Sequence, residues 1–266
     1  VESLATEIVA AGGVAEAAEV DALDEEAVAQ HLDRVGGVDI SFNAIGPGPA
    51  PERLKLTELD ADAFVSPIAF YTRSNFITAT AAARRMSDQG SGVIVTLTAL
   101  PGRTPANRVG GQAPAWAAVE GFSRSLALEV GPAGVRVVCL RSHAIPETPL
   151  IEENFASAGK AFGVSAAQFQ AGLEQTTLLK RLPTLAEVAE PFIDEINAEG
   201  GINGRRLEAR VIEFNPSSAD SMLSTSPWRP CSVLSARHYP ATIWQWSSRR
   251  TSSACSRAAT PPCASC

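Results

Sequence analysis

No apolar run in the 266 residues approaches the ~20 needed for a bilayer-spanning helix. The opening VESLATEIVAAGG lacks the basic-then-apolar order of a secretory signal, so a soluble cytoplasmic protein is the expectation. Basic residues are the minority, 22 Lys and Arg against 29 Asp and Glu. The resulting net charge of −7 and pI near 5.1 argue against binding to a nucleic-acid backbone. Cysteine is scarce and badly placed for a metal. Four of the five (Cys231, Cys255, Cys263, Cys266) fall late in the chain, no C-x-x-C faces a second one, and His238 is the only histidine among them. No metal ligands are therefore assigned, and a disulfide framework would need an oxidising compartment for which nothing else argues.

What is present is an ordinary globular composition, 45% hydrophobic. Up to about residue 216 the chain is rich in Ala, Val, Leu and Glu with clear periodicity. Beyond it, Ser, Arg, Pro, Cys and Trp dominate, as in a GC-rich sequence translated out of frame. Pro and Ser interrupt every apolar run there, so an unstructured tail is expected from about residue 219.

Between these limits, ESLATEIVAAGG has helical spacing and a glycine stop, and VAEAAEVDA reads as a short strand ending at Asp21. A helix follows over DEEAVAQHLDRV, with Ala27, Val28, His31, Leu32 and Val35 on one face. His31 reads as a packed or surface residue, since no ligand partner sits at helical spacing. VDISFNAIG is a buried strand breaking into a Pro/Gly loop, and a long helix spans about Asp60 to Met86. The strand SGVIVTLTA, a helix over 113–130 and the strand GVRVVCLRS complete the pattern. Ala115, Ala118, Val119, Phe122 and Leu126 form that last helix's packed stripe. Alternating strands and helices, with strands apolar throughout, predict an α/β fold: a parallel sheet covered by helices on both faces. Ligands in such folds bind beyond the carboxyl ends of the strands.

The turns at those strand ends resemble the short-chain dehydrogenase/reductase family of NAD(P)-dependent oxidoreductases. EVDALDEEAV, FNAIG, GSGVIVTLTA, AAVEGFSRSLALEVGPAGVRVVCLR and AIPET follow the family's order over about residues 1–189. The resemblance implies a doubly wound Rossmann-type sheet. It places Asp21 and Ala22 at the adenine, Asn43, Ala44 and Gly46 at the Asn-Asn-Ala-Gly turn, and Ile145 at a further contact to NAD or NADP. The family's first two strands, its Gly-rich turn and its NAD/NADP-selecting residue have no counterpart before the helix at 2–11, and GPGPAP cannot replace that turn because proline lacks an N–H. The fold is thus expected to be truncated, with cofactor binding weak or lost.

The resemblance also gives roles to four positions. The family's proton-transferring tyrosine, its lysine, its carbonyl-orienting serine and its water-holding asparagine fall on Gln112, Trp116, Ala99 and Tyr71. Neither Gln nor Ala titrates, so no catalytic residue is assigned. Thr98 is the hydroxyl nearest Ala99, but strand alternation points it the other way. Trp116 reads either as a filler of the emptied cleft or as a stacking surface for a ring-shaped ligand. The reading is therefore an alcohol/carbonyl oxidoreductase by descent, impaired or inactive, with a non-catalytic oligomerisation or ligand-binding scaffold as the alternative. In the family, helices matching 62–86 and 113–130 make a subunit interface, and Ala79, Ala81, Ala82, Ala83, Ala117 and Ala118 would permit close approach.

A second resemblance is short. PFIDEINAEGGINGRRLEARVIEFNPSS, residues 191–218, is similar to the opening of periplasmic branched-chain amino-acid-binding proteins, a helix, turn and strand. It divides the chain into a domain over 1–189, an appendage of foreign origin over 190–218 and a tail over 219–266. RLEARVIEF, residues 206–214, alternates as a strand does and is expected to pair beside residues 135–141.

Overall fold

A computed structural model describes residues 2–10, 14–46, 53–198 and 243–246. The elements are helix α1 (Glu2–Ala10), α2 (Glu25–Val35), strand β1 (Ile40–Asn43), α3 (Ala61–Gln89), β2 (Gly92–Ala99), α4 (Gln112–Val130), β3 (Val135–Ser142), α5 (Pro149–Phe162), α6 (Ala166–Thr176), α7 (Leu185–Ala198) and β4 (Ile243–Trp246). Local chemistry sets the boundaries. Asp24 caps α2 by accepting from the Glu26 and Ala27 amides at 2.9 and 3.0 Å, with Glu25 and Glu26 in the first turn. Asp60 caps α3 through Ala63 N at 2.7 Å, and Gly90, at φ +77°, ends it in the left-handed region.

β1, β2 and β3 are parallel. Asn43 is opposite Thr96, and Ala99 is opposite Ser142. Crossover helices α3 and α4 join them, as a doubly wound α/β sheet requires. The core lies between α2, α3, α4 and the sheet. Val28, Leu32, Val38, Ile77, Ala79, Ala82, Met86, Ile94, Leu126 and Val135 are buried together there. Just before β1, the Gln89 amide donates to the Val38 carbonyl and accepts from its N–H, both at 2.8 Å. A side chain thereby satisfies a fully buried backbone pair that has no strand partner.

Three expectations change. Residues 14–20 form no strand, although exposure alternates from Val14 to Ala18 as a strand's would. A ladder needs a neighbour, and no described strand lies beside this segment. Secondly, Ile243–Trp246, within the stretch expected to be structureless, pairs antiparallel with β1 and gives the sheet the order β3-β2-β1-β4. An unpaired edge is a strong template for any extended segment. Thirdly, Ala118 is exposed on α4, while Ala79, Ala82 and Ala83 sit inside the chain's own core. Only Ala117 and Ala118 of that small-residue set stand free on the surface.

The helix α7 runs unbroken through the junction expected near residue 190. Residues 206–214 lie outside the described residues, as do Cys231, Cys255, Cys263, Cys266 and His238. β2 is the only described neighbour of β3. No described helix is long and apolar enough to cross a membrane.

Candidate active site

The face of β1 and β2 turned toward α3 and α4 is polar. Ser41, Asn43, Thr96 and Thr98 are buried on the strands, Ser74, Asn75 and Thr78 on α3, and Gln112, Glu120 and Ser123 on α4. Several of these bond locally. Thr96 Oγ1 lies 2.9 Å from Ser123 Oγ, Ser123 Oγ donates to the Val119 carbonyl at 2.8 Å, and Asn75 Nδ2 donates to the Tyr71 carbonyl at 2.9 Å. Thr98 points toward α4, 3.4 Å from Glu120 Oε1, as its alternation predicts.

Tyr71, Ala115 and Val119 are buried as one cluster, with Ile68 and Trp116 half-buried against it. The Tyr71 hydroxyl donates to the Leu97 carbonyl. Burial pushes the phenol's pKa well above the usual tyrosine range, and nearby Cys139 acts in the same direction. A hydrogen bond from the Trp116 indole, a group that can only donate, opposes them weakly. So Trp116, half-buried, packs against this cluster and leans on the phenol without supplying a charge. Gln112, at the tyrosine position, is buried at the first turn of α4.

Glu120 is the residue that sequence reasoning missed. It is 3% exposed, one helical turn after Trp116. Arg103 Nε donates to its Oε2 at 2.8 Å, and Arg141 donates Nε to Oε1 at 2.6 Å and an Nη to Oε2 at 2.8 Å. The Arg141 bonds, helped by Arg103, hold the carboxyl at about 2, against the opposing effect of burial. A lone glutamate on an otherwise buried helix face is the only signal the sequence offered. At the end of β3, His143 Nδ1 accepts from the Ala144 amide at 2.8 Å, so the ring proton sits on Nε2, and burial lowers its pKa.

Of the six residues assigned to a dinucleotide, Asn43 ends β1, Ala44 and Gly46 follow it, and Ile145 comes three positions after β3, whereas Asp21 and Ala22 follow no described strand. Asp21 heads an exposed turn, accepting from Leu23 N at 2.9 Å through one carboxylate oxygen. Ala22 is buried, so only its backbone could face a ligand. Asn43 is fully buried with neither amide atom partnered, and Ala44 and Gly46 follow it, with open space around Gly46. Ile145 is buried beyond β3. The unpartnered Asn43 amide and the second Asp21 oxygen fit the adenosine half of such a ligand. The sequence holds no G-x-G-x-x-G turn for its pyrophosphate. Among the described residues no group of acidic, His and Cys side chains could hold a metal ion.

A family model described as enoyl-(acyl carrier protein) reductase matches residues 1–193. The chain belongs to the short-chain dehydrogenase/reductase family. L-rhamnose 1-dehydrogenase (NAD(P)(+)) of Azotobacter vinelandii is 30% identical over 139 residues, 50% of this chain and 53% of that protein. The chain thus spans about half the length of this curated relative. Among solved structures, sorbitol-6-phosphate 2-dehydrogenase from Erwinia amylovora is 19% identical with a TM-score of 0.67, covering 78% of this chain and 86% of the other. NAD+-bound xylitol dehydrogenase gives 19% and 0.63, over 69% and 73% of the two chains. An actinorhodin polyketide ketoreductase variant with NADPH gives 21% and 0.63, over 72% and 74%. At these identities the likeness is one of fold.

Proposed function

We propose that this chain descends from NAD(P)-dependent alcohol/carbonyl oxidoreductases and binds ligands in the family's cleft without carrying out hydride transfer there. The observation that carries the reading is the set Gln112, Trp116 and Tyr71. Among the described residues, the one phenol in the cleft is buried, bonded to a backbone carbonyl, and shifted away from the range in which a group exchanges protons at neutral pH. NAD or NADP is the cofactor that descent assigns, with Asp21, Ala22, Asn43, Ala44, Gly46 and Ile145 as the residues to hold its adenosine side. When bound, a nicotinamide would supply the hydride acceptor or donor. The chain's own contribution would be to orient the adenosine and exclude water with Trp116.

The test is turnover of simple alcohols and ketones with either nicotinamide. No rate above background is expected, and a turnover number of about 1 per second or more would overturn the reading, making Tyr71 or His143 the acid. The alternative, an oligomerisation scaffold, is favoured by one specific feature. Phe76, Val65 and Leu128 are exposed on α3 and α4. Phe76 and Phe122 meet at 5.9 Å beside a depression of about 340 Å³ that Thr72, Arg73 and Val119 also line. Phe76→Glu should then convert a dimer into a monomer by sedimentation. A wild-type chain that is already monomeric would remove this second reading.

A further inference from the structure

Arg53, Arg108 and helix α5 come together from three distant parts of the chain. Arg53 donates an Nη to Asn154 Oδ1 at 2.6 Å and to the Asn154 carbonyl at 3.3 Å. Arg108 donates an Nη to the Arg53 carbonyl at 3.0 Å, and its guanidinium lies 5.5 Å from the centre of the Phe162 ring. Every described partner of these two cations is neutral. In contrast, Arg85, Arg103, Arg141 and Arg181 each meet a carboxylate. Both side chains are half-buried, and burial disfavours the charge on Arg53. Arg108 holds φ +57°, a backbone conformation uncommon outside glycine. Its turn is fixed to the start of α4 by the bond from Gln112 N to the Val109 carbonyl at 3.1 Å.

Two partly desolvated guanidiniums with no carboxylate partner among the described residues are short of counter-charge, and each has N–H donors beyond the bonds given above for a further acceptor. Planar forks of this kind match carboxylate and phosphate oxygens two at a time. We infer that Arg53 and Arg108 form an anion-recognition site beside α5, taking a carboxylate or phosphate group of a small-molecule ligand. Asn154 positions one fork and Phe162 supports the other. The inference stands apart from the reading of the cleft and names the charge of a ligand held beside α5.

The test uses the full chain with inorganic phosphate and acetate as probes, by calorimetry at constant ionic strength held with chloride. Saturable binding of at least one probe is expected, and the stronger one tells phosphate from carboxylate. Arg53→Gln and Arg108→Gln should each weaken it about tenfold or more, whereas Phe162→Leu should change it less than about threefold. No saturable binding of either probe, or binding that survives both arginine substitutions, would overturn the site and leave the arginines as a clamp between loop and helix. If either variant fails to fold, modification of the wild-type arginines by phenylglyoxal reads the same point. Protection of both by the bound probe supports the site, and no protection overturns it. Hydride transfer enters none of these readouts, so failure here is distinct from failure of the turnover test.

Discussion

Glu120 occupies a helix face that otherwise buries Ala115, Val119 and Leu126, and only its three bonds from arginine make a carboxylate tolerable there. Arg141→Ala should destabilise the fold, read by urea denaturation. The loss should be smaller than for a fully buried pair because Arg103 remains and both guanidiniums are partly solvated. The pH dependence follows from the depressed carboxyl. Its stabilisation is fully present above the ordinary glutamate range near 4.5 and is lost as pH falls through about 2. Wild type should therefore lose stability over that window more steeply than Glu120→Gln. Equal slopes would show that the charge contributes nothing. None of this was legible beforehand, because Arg103 and Arg141 stand 17 and 21 positions from Glu120 and no periodicity links them. Trp116 and Gln112 were legible, since a substituted reacting position is visible against the family pattern without any structure.

At the level of elements, the crossing of α3 and α4 depends on a missing side chain. A Cβ on Gly111 would sit 1.9 Å from the Phe64 carbonyl oxygen and 2.7 Å from Pro67 Cγ. The first of these is backbone and cannot swing away. Gly111→Ala should thus destabilise by about 3 kcal/mol and displace the start of α4, taking Gln112 with it. A thermal midpoint unchanged from wild type would mean that the helices slide apart freely. The sequence made most elements readable. Capping aspartates at 24 and 60, glycines at 36 and 90 and continuous apolar strands delimit α2, α3, β1, β2 and β3 to within a few residues. It failed at residues 14–20, where the pattern is a strand's and the partner is missing. Helix propensity is local, whereas a strand is defined by what lies next to it. The same reason hid Ile243–Trp246, whose pairing comes from an open edge on β1 and not from its own surroundings.

Across the whole molecule, the sheet joins two kinds of connection. β1, β2 and β3 follow one another through single helices, but Ile243 lies some two hundred positions beyond Asn43. Closing a loop of that length carries an entropy cost that grows with the logarithm of its size, and only four residue pairs repay it. Assembly should therefore be ordered in time, with the three parallel strands and their helices condensing first and β4 arriving last. It should also leave first. β1 is then an interior strand only while its latest partner stays, and the sheet passes between three and four strands without global unfolding. Native-state hydrogen exchange would register this as two classes of amide. Those linking β2 to β3 should open only with the whole fold, and those linking β1 to β4 should open at much lower free energy. A single class would mean that the distant segment folds as one unit with the strands it joins.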